Sequence, residues 1–145
     1  MMGEQRGEEP IKLVIVDDNA GIRTLLRALA KREGRMSVVG EAENGLEAVT
    51  VTRRKQPDVV ILDVMMPVMD GLEAIPGIIE SSPRTCIVMY SAYSEPRDEA
   101  FRLGAHGWCT KGSTWDVMAD VIYEVVAARD AQEGSGQPLP PPFRT

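Results

Sequence analysis

Apolar residues along the chain gather into short continuous runs, and these alternate with segments of helical period. The runs are Ile11 to Val16, Met36 to Gly40, Val59 to Leu62, Cys86 to Tyr90 and Gly107 to Thr110. Short runs with little polar alternation predict strands covered on both faces, as in a parallel sheet. After the first run, Ile22, Leu25, Leu26 and Leu29 repeat at helical spacing opposite Arg23, Arg27 and Lys31, and Gly34 stops that helix. A second helix is expected from Gly45 to about Arg54, ended by Pro57. A third is expected from Gly71 to about Glu80, where Pro76 and Gly77 predict a kink or a shortened helix. Ser94 is the expected cap of a fourth helix, with Pro96 in its first turn and Gly104 at its end. Ser113 and Asp116 form a capping pair for a last helix striped by Met118, Val121, Ile122 and Val125. Five alternating strand–helix pairs predict an α/β domain with a parallel sheet and crossover helices.

Composition narrows this picture without changing it. The 145 residues suffice for one domain, expected over residues 10–129, with flexible tails at 1–9 and 130–145. The second tail holds Gly134, Gly136, Pro138 and Pro140 to Pro142, which pack poorly. A net charge of −6, with basic residues scattered apart from Arg53, Arg54 and Lys55, argues against nucleic-acid binding by this chain. No apolar stretch approaches the roughly 20 residues of a membrane span, and the start is not built like a signal peptide, so a cytoplasmic protein without membrane contact is expected. Cys86 and Cys109 lie within apolar runs and read as small buried hydrophobes. His106, the only histidine, sits in a glycine-flanked turn and reads as a surface residue.

The candidate chemistry sits where the runs end. Asp17 and Asp18 follow the first, Asp63 the third, Ser91 closes the fourth and Lys111 follows the fifth. In an open parallel sheet the carboxyl ends of the strands border the ligand crevice. Singly, each residue has an ordinary reading, such as a helix cap for Asp18, a solvated loop lysine for Lys111 or a core aromatic for Trp108. Jointly they point elsewhere, because three neighbouring carboxylates repel one another unless a cation lies between them.

In this order, Val16-Asp17-Asp18, the block Asp63-Val64-Met65-Met66-Pro67-Val68-Met69-Asp70-Gly71, Ser91-Ala92, and Gly104-Ala105-His106-Gly107-Trp108 with Lys111 resemble the receiver domain of bacterial two-component response regulators. The similarity spans roughly residues 10–128. It implies a flavodoxin-like (βα)5 fold with a five-stranded parallel sheet in the order 2-1-3-4-5, carried over from the family. It further implies a phosphorelay switch in which Asp63 takes a phosphoryl group from a sensor histidine kinase or phosphotransfer protein, with Mg2+ as cofactor. By the same resemblance Asp18, Asp63 and the backbone carbonyl of Met65 are direct metal ligands and Asp17 acts through water. Lys111 would face the phosphoryl group, Ser91 would sense it, and Trp108 would turn inward behind Ser91. Met65 and Tyr93 would tune the lifetime of the phosphorylated state. The surface of the fourth helix, fifth strand and fifth helix would then meet a downstream effector or a second copy. The resemblance implies a signalling switch and not an enzyme, catalysing only its own phosphotransfer and slow self-dephosphorylation. Gly112 stands where many members carry proline after the lysine.

Two alternatives share the fold: an interaction module that does not use phosphorylation, and the receiver half of a longer DNA-binding transcription regulator. A phosphatase with an aspartate nucleophile would usually carry a second Asp where Met65 stands, and a nucleotide-binding fold would need glycines where Asp17-Asp18-Asn19 stand.

Overall fold

The protein is described by a computed structural model over residues 9–135. Five strands, β1 (Ile11–Val16), β2 (Met36–Ala42), β3 (Val59–Leu62), β4 (Cys86–Ser91) and β5 (Gly107–Thr110), form one parallel sheet in the order β2-β1-β3-β4-β5. The helices between and after them are α1 (Ala20–Glu33), α2 (Gly45–Lys55), α3 (Gly71–Ser81), α4 (Arg97–Leu103) and α5 (Trp115–Ser135). This is the flavodoxin-like order expected.

The continuous apolar runs follow from burial on both faces of the sheet. Ile11, Leu13, Ile15, Val59, Ile61 and Val88 point to one layer, where they meet Leu26 and Ala30 of α1 and Met118, Ile122 and Val125 of α5. Val14, Val16, Val60, Leu62, Ile87 and Met89 point to the other, against Ala48 of α2, Ile75 and Ile78 of α3 and Phe101 of α4. Burying each such aliphatic side chain stabilises the fold by about 1.5–3 kcal/mol.

Local chemistry fixes the helix ends. Asn19 caps α1 and Asn44 caps α2 through side-chain oxygens, and Asp70 and Glu73 form a reciprocal capping box on α3. Gly34 and Gly104 end α1 and α4 in left-handed backbone, at φ 84° and 119°.

Several local expectations are corrected. Pro76 does not interrupt α3, which runs through to Ser81; Gly77 serves its packing, since a Cβ there would lie 3.0 Å from Val49 of α2. Ser94 gives α4 no side-chain cap, because Pro96 itself occupies that position and Arg97 N–H donates to the Ser94 carbonyl. α5 begins at Trp115, so Thr114 precedes it and Ser113 lies one residue too early to cap it. Leu25 is 55% exposed: α1 turns Leu26 and Ala30 to the sheet instead. β2 continues two residues past Gly40. α5 continues beyond Asp130 to Ser135, where Arg84 pairs with Glu133. The remainder of the expected C-terminal tail, and residues 1–8 of the N-terminal one, lie outside the described residues.

His106 is also placed differently. Its Nδ1 accepts the Ile87 N–H at 2.9 Å while its backbone N–H donates to the Ile87 carbonyl. Burial first, and then the charge of Arg129, lower the imidazole pKa from 6.5 to about 4. It is a half-buried neutral acceptor joined to β4 rather than a free surface side chain.

Candidate functional site

Backbone hydrogen bonds extend the sheet ladder into the site. Asp17 N–H donates to Ala42 carbonyl at 3.1 Å, Asp63 N–H to Val16 at 3.0 Å and Lys111 N–H to Ser91 at 2.8 Å. Three candidate side chains therefore leave a rigid scaffold at the carboxyl end of the sheet.

There Asp17, Asp18 and Asp63 each offer a carboxylate oxygen, all within 4.8 Å of one another. Asp17 and Asp63 are buried, whereas Asp18 faces solvent. Lys111 Nζ lies 2.8 Å from Asp17 Oδ2 and 3.3 Å from Asp63 Oδ1. The other oxygen of Asp17 accepts the Asn19 N–H at 2.9 Å, so both its oxygens already face nitrogen donors.

These neighbours shift titration in opposite senses. Burial and then the charge of Asp17 raise the Asp63 pKa above 3.8, and Lys111 only partly offsets them. Burial disfavours the Lys111 ammonium, but the two carboxylates outweigh it and its pKa rises. The lysine is a fixed cation between two acids.

Ser91 is buried, and its Oγ accepts the Tyr93 N–H at 3.1 Å. Trp108 stands opposite Met89 in the β4–β5 register and is 5% exposed, so it is already turned inward. Met65 and Tyr93, two residues after Asp63 and Ser91, are 64% and 58% exposed. Gly112, at φ 102°, lets the chain turn directly after Lys111.

One site feature was missed from sequence. Val68 holds φ 71° and is 79% exposed in the loop after Asp63, a strained position for a β-branched residue. Only the adjoining Pro67 hinted at an unusual turn.

Residues 13–123 match the family model of the response regulator receiver domain, and the chain belongs to that family. It is 45% identical over 114 residues to the chemotaxis protein CheY of Listeria monocytogenes, covering 77% of this chain and 95% of that protein. It is 37% identical over 120 residues to a protein-glutamate methylesterase/protein-glutamine glutaminase of Methanococcoides burtonii, covering 80% of this chain and 34% of that enzyme. Among solved structures, the CheX-CheY-BeF3-Mg+2 complex from Borrelia burgdorferi matches with TM-score 0.75 and 25% identity over 81% of this chain and 90% of that one.

The methylesterase relatives overturn the expectation that the protein is no enzyme: receivers this similar form part of proteins named as enzymes. This chain spans about a third of their length. Among the described residues no helix is long and apolar enough to cross a membrane.

Proposed function

We propose that the protein is a cytoplasmic phosphoacceptor of a two-component phosphorelay, in which Asp63 receives a phosphoryl group from a sensor histidine kinase or phosphotransfer protein. The observation that carries this reading is the convergence of three carboxylates and Lys111 at the ends of β1, β3 and β5. A carboxylate oxygen of Asp63 attacks phosphorus, a P–O bond forms, and the P–N bond of the phosphohistidine breaks with its electron pair returning to the imidazole. Lys111, 3.3 Å from the Asp63 oxygen, would hold the anionic phosphoryl group against the anionic nucleophile.

The donor set fits a hard cation. It offers only oxygens, and Mg2+ takes one or two carboxylates plus waters and phosphate oxygens. Asp18 and Asp63, with the Met65 carbonyl, would be its direct ligands. Asp17 would act through water, since its two oxygens already engage Lys111 and Asn19. When bound, Mg2+ would neutralise charge on the phosphoryl oxygens. The solved relative carrying BeF3 and Mg+2 supports this choice.

Ser91 would report the phosphoryl group. A hydroxyl can donate to a phosphoryl oxygen while still accepting from Tyr93 N–H, which links the β4–α4 loop to the site. Because Trp108 is already inside, the loop would carry the first movement, toward the surface of α4, β5 and α5. A downstream effector or a second copy would read that surface.

Intact mass after treatment with acetyl phosphate and Mg2+ tests the reading. One phosphoryl adduct is expected on the wild type and none on Asp63→Asn. An unmodified wild type across several donors would favour the phosphorylation-independent module.

A further inference from the structure

The Lys111 ammonium has an aromatic neighbour as well as two acidic ones. Its Nζ lies 2.8 Å from Asp17 and 3.3 Å from Asp63, and it stands over the Tyr90 ring, 5.5 Å from the centroid. The sheet makes this contact. Tyr90 of β4 is paired with Cys109 of β5, and Lys111 follows two residues later, so both side chains leave the same face. The Lys111 N–H, donating to the Ser91 carbonyl at 2.8 Å, carries that register one step past the strand. Tyr90 is half-buried and packs against the core layer shared with α1 and α5, which fixes its ring.

We propose that Tyr90 is a positioning residue, whose ring face holds the Lys111 ammonium where an incoming phosphoryl group meets Asp63; this rests on the phosphoacceptor reading of Asp63. Lysine carries its charge on a long flexible stem. The residue after it is Gly112, at φ 102° and with nothing within 4 Å of where a Cβ would stand, so the loop behind Lys111 does not confine it. Asp17 and Asp63 attract the ammonium, but a cation or phosphoryl group at Asp63 competes for the same carboxylate charge. A neutral ring attracts it through its quadrupole whatever the state of the acids. Tyr90 therefore restrains Lys111 through the step in which the charge on Asp63 changes.

Three variants test this in the full chain. Tyr90→Phe keeps the ring face, whereas Tyr90→Leu and Tyr90→Met keep apolar bulk without it. The first readout is the NMR shift of the Lys111 ε-methylene protons in chelator, assigned by their loss in Lys111→Arg. An upfield ring-current shift is expected in the wild type and Tyr90→Phe and should be lost in Tyr90→Leu and Tyr90→Met.

The second readout is the rate of labelling by acetyl phosphate with Mg2+. There an Asp63 oxygen attacks phosphorus, the new O–P bond forms, and the P–O bond to acetate breaks with its electron pair leaving on acetate. Tyr90→Phe should match the wild type, and the two ringless variants should be slower by about two- to fivefold. Equal rates in the ringless variants would overturn the proposal, as would Tyr90→Phe as slow as they are or a wild type with no upfield shift. A wild type that shows the ring contact but takes up no phosphoryl group would overturn the phosphoacceptor reading itself, and the positioning role with it.

Discussion

A Cβ at position 71 would lie 2.0 Å from the carbonyl oxygen of Asp63, so Gly71 and Asp63 are backbone neighbours in direct contact. The Gly71 N–H also donates to the Val64 carbonyl at 2.7 Å, folding the loop onto the residue after Asp63. No flexible side chain can yield here, since the obstructing atoms are backbone. Gly71→Ala should therefore cost about 1–3 kcal/mol or more in chemical denaturation. It should also slow phosphorylation by acetyl phosphate, because the shift falls on Asp63 itself. Unchanged stability and labelling rate would show that the loop can open without consequence.

The charge of Asp63 is a burden on the fold without a divalent ion. Its pKa is raised by burial and by Asp17, so folding takes up a proton between 3.8 and the raised value. Stability falls as pH rises through that window, and the deficit persists at neutral pH. Asp63→Asn should accordingly melt above the wild type at pH 7 in chelator. Saturating Mg2+ should raise the wild-type Tm more than that of the variant, by the mass-action stabilisation of a native-state ligand. Equal Tm values in chelator would mean that the ionised Asp63 carboxylate does not destabilise the fold.

His106 should shape the acid side of the stability curve. Its pKa falls from 6.5 to about 4 on folding because burial and Arg129 oppose a second proton and Nδ1 is engaged by Ile87 N–H. The contribution is fully present above pH 6.5 and is lost as pH falls from there through 4. The whole effect is about 3 kcal/mol at 1.36 kcal/mol per unit. His106→Gln should be less stable than wild type at pH 7 and show a shallower loss toward pH 4.5. Parallel pH profiles for the two proteins would remove His106 as the titrating group.

Arg129 is wholly buried at the opposite end of the sheet from the site. Its guanidinium reaches Asp58 at 3.1 Å, Asp130 at 3.0 Å and the Arg84 carbonyl at 3.2 Å, while Asp58 also accepts the Lys12 N–H. Arg129→Met leaves Asp58 buried beside an apolar side chain, a change costing about 3–5 kcal/mol. Labelling of Asp63 by acetyl phosphate should proceed normally wherever this variant stays folded. A loss under 1 kcal/mol would mean that water reaches Asp58.

What the sequence reveals and conceals follows from the range of each signal. Strands buried on both faces write themselves as unbroken apolar runs, so Val59 to Leu62 marks the central strand and Asp63 its exit. Asp17, Asp18 and Lys111 were legible for the same reason. Arg129 was not, because its partners Asp58 and Arg84 lie 71 and 45 residues upstream and leave no local pattern. His106 misled in the same way: its glycine neighbours describe a turn, but its ring is claimed by Ile87 on another strand. Leu25 fits the helical period, yet only tertiary packing decides that Leu26 and Ala30 are the residues facing the sheet.

The lifetime of the phosphorylated state should depend on Met65 and Tyr93, which stand two residues after Asp63 and Ser91. Both are exposed, at 64% and 58%, and in the proposed reading would border the route by which water reaches phosphorus opposite the Asp63 oxygen. A thioether accepts hydrogen bonds poorly and cannot orient that water, and a phenol ring can cover the approach. An asparagine at position 65 offers both a donor and an acceptor at the same place. One hydrogen bond contributing about 0.5–1.5 kcal/mol in the transition state corresponds to roughly a two- to tenfold rate change. Phosphate release from purified phosphoprotein with Mg2+ and no kinase should therefore be faster by that factor in Met65→Asn. Met65→Leu, which restores an apolar side chain without a donor, should stay near the wild-type rate. If Met65→Asn releases phosphate no faster, water is not limited at this position, and Tyr93 or the loop around Val68 must set the lifetime instead.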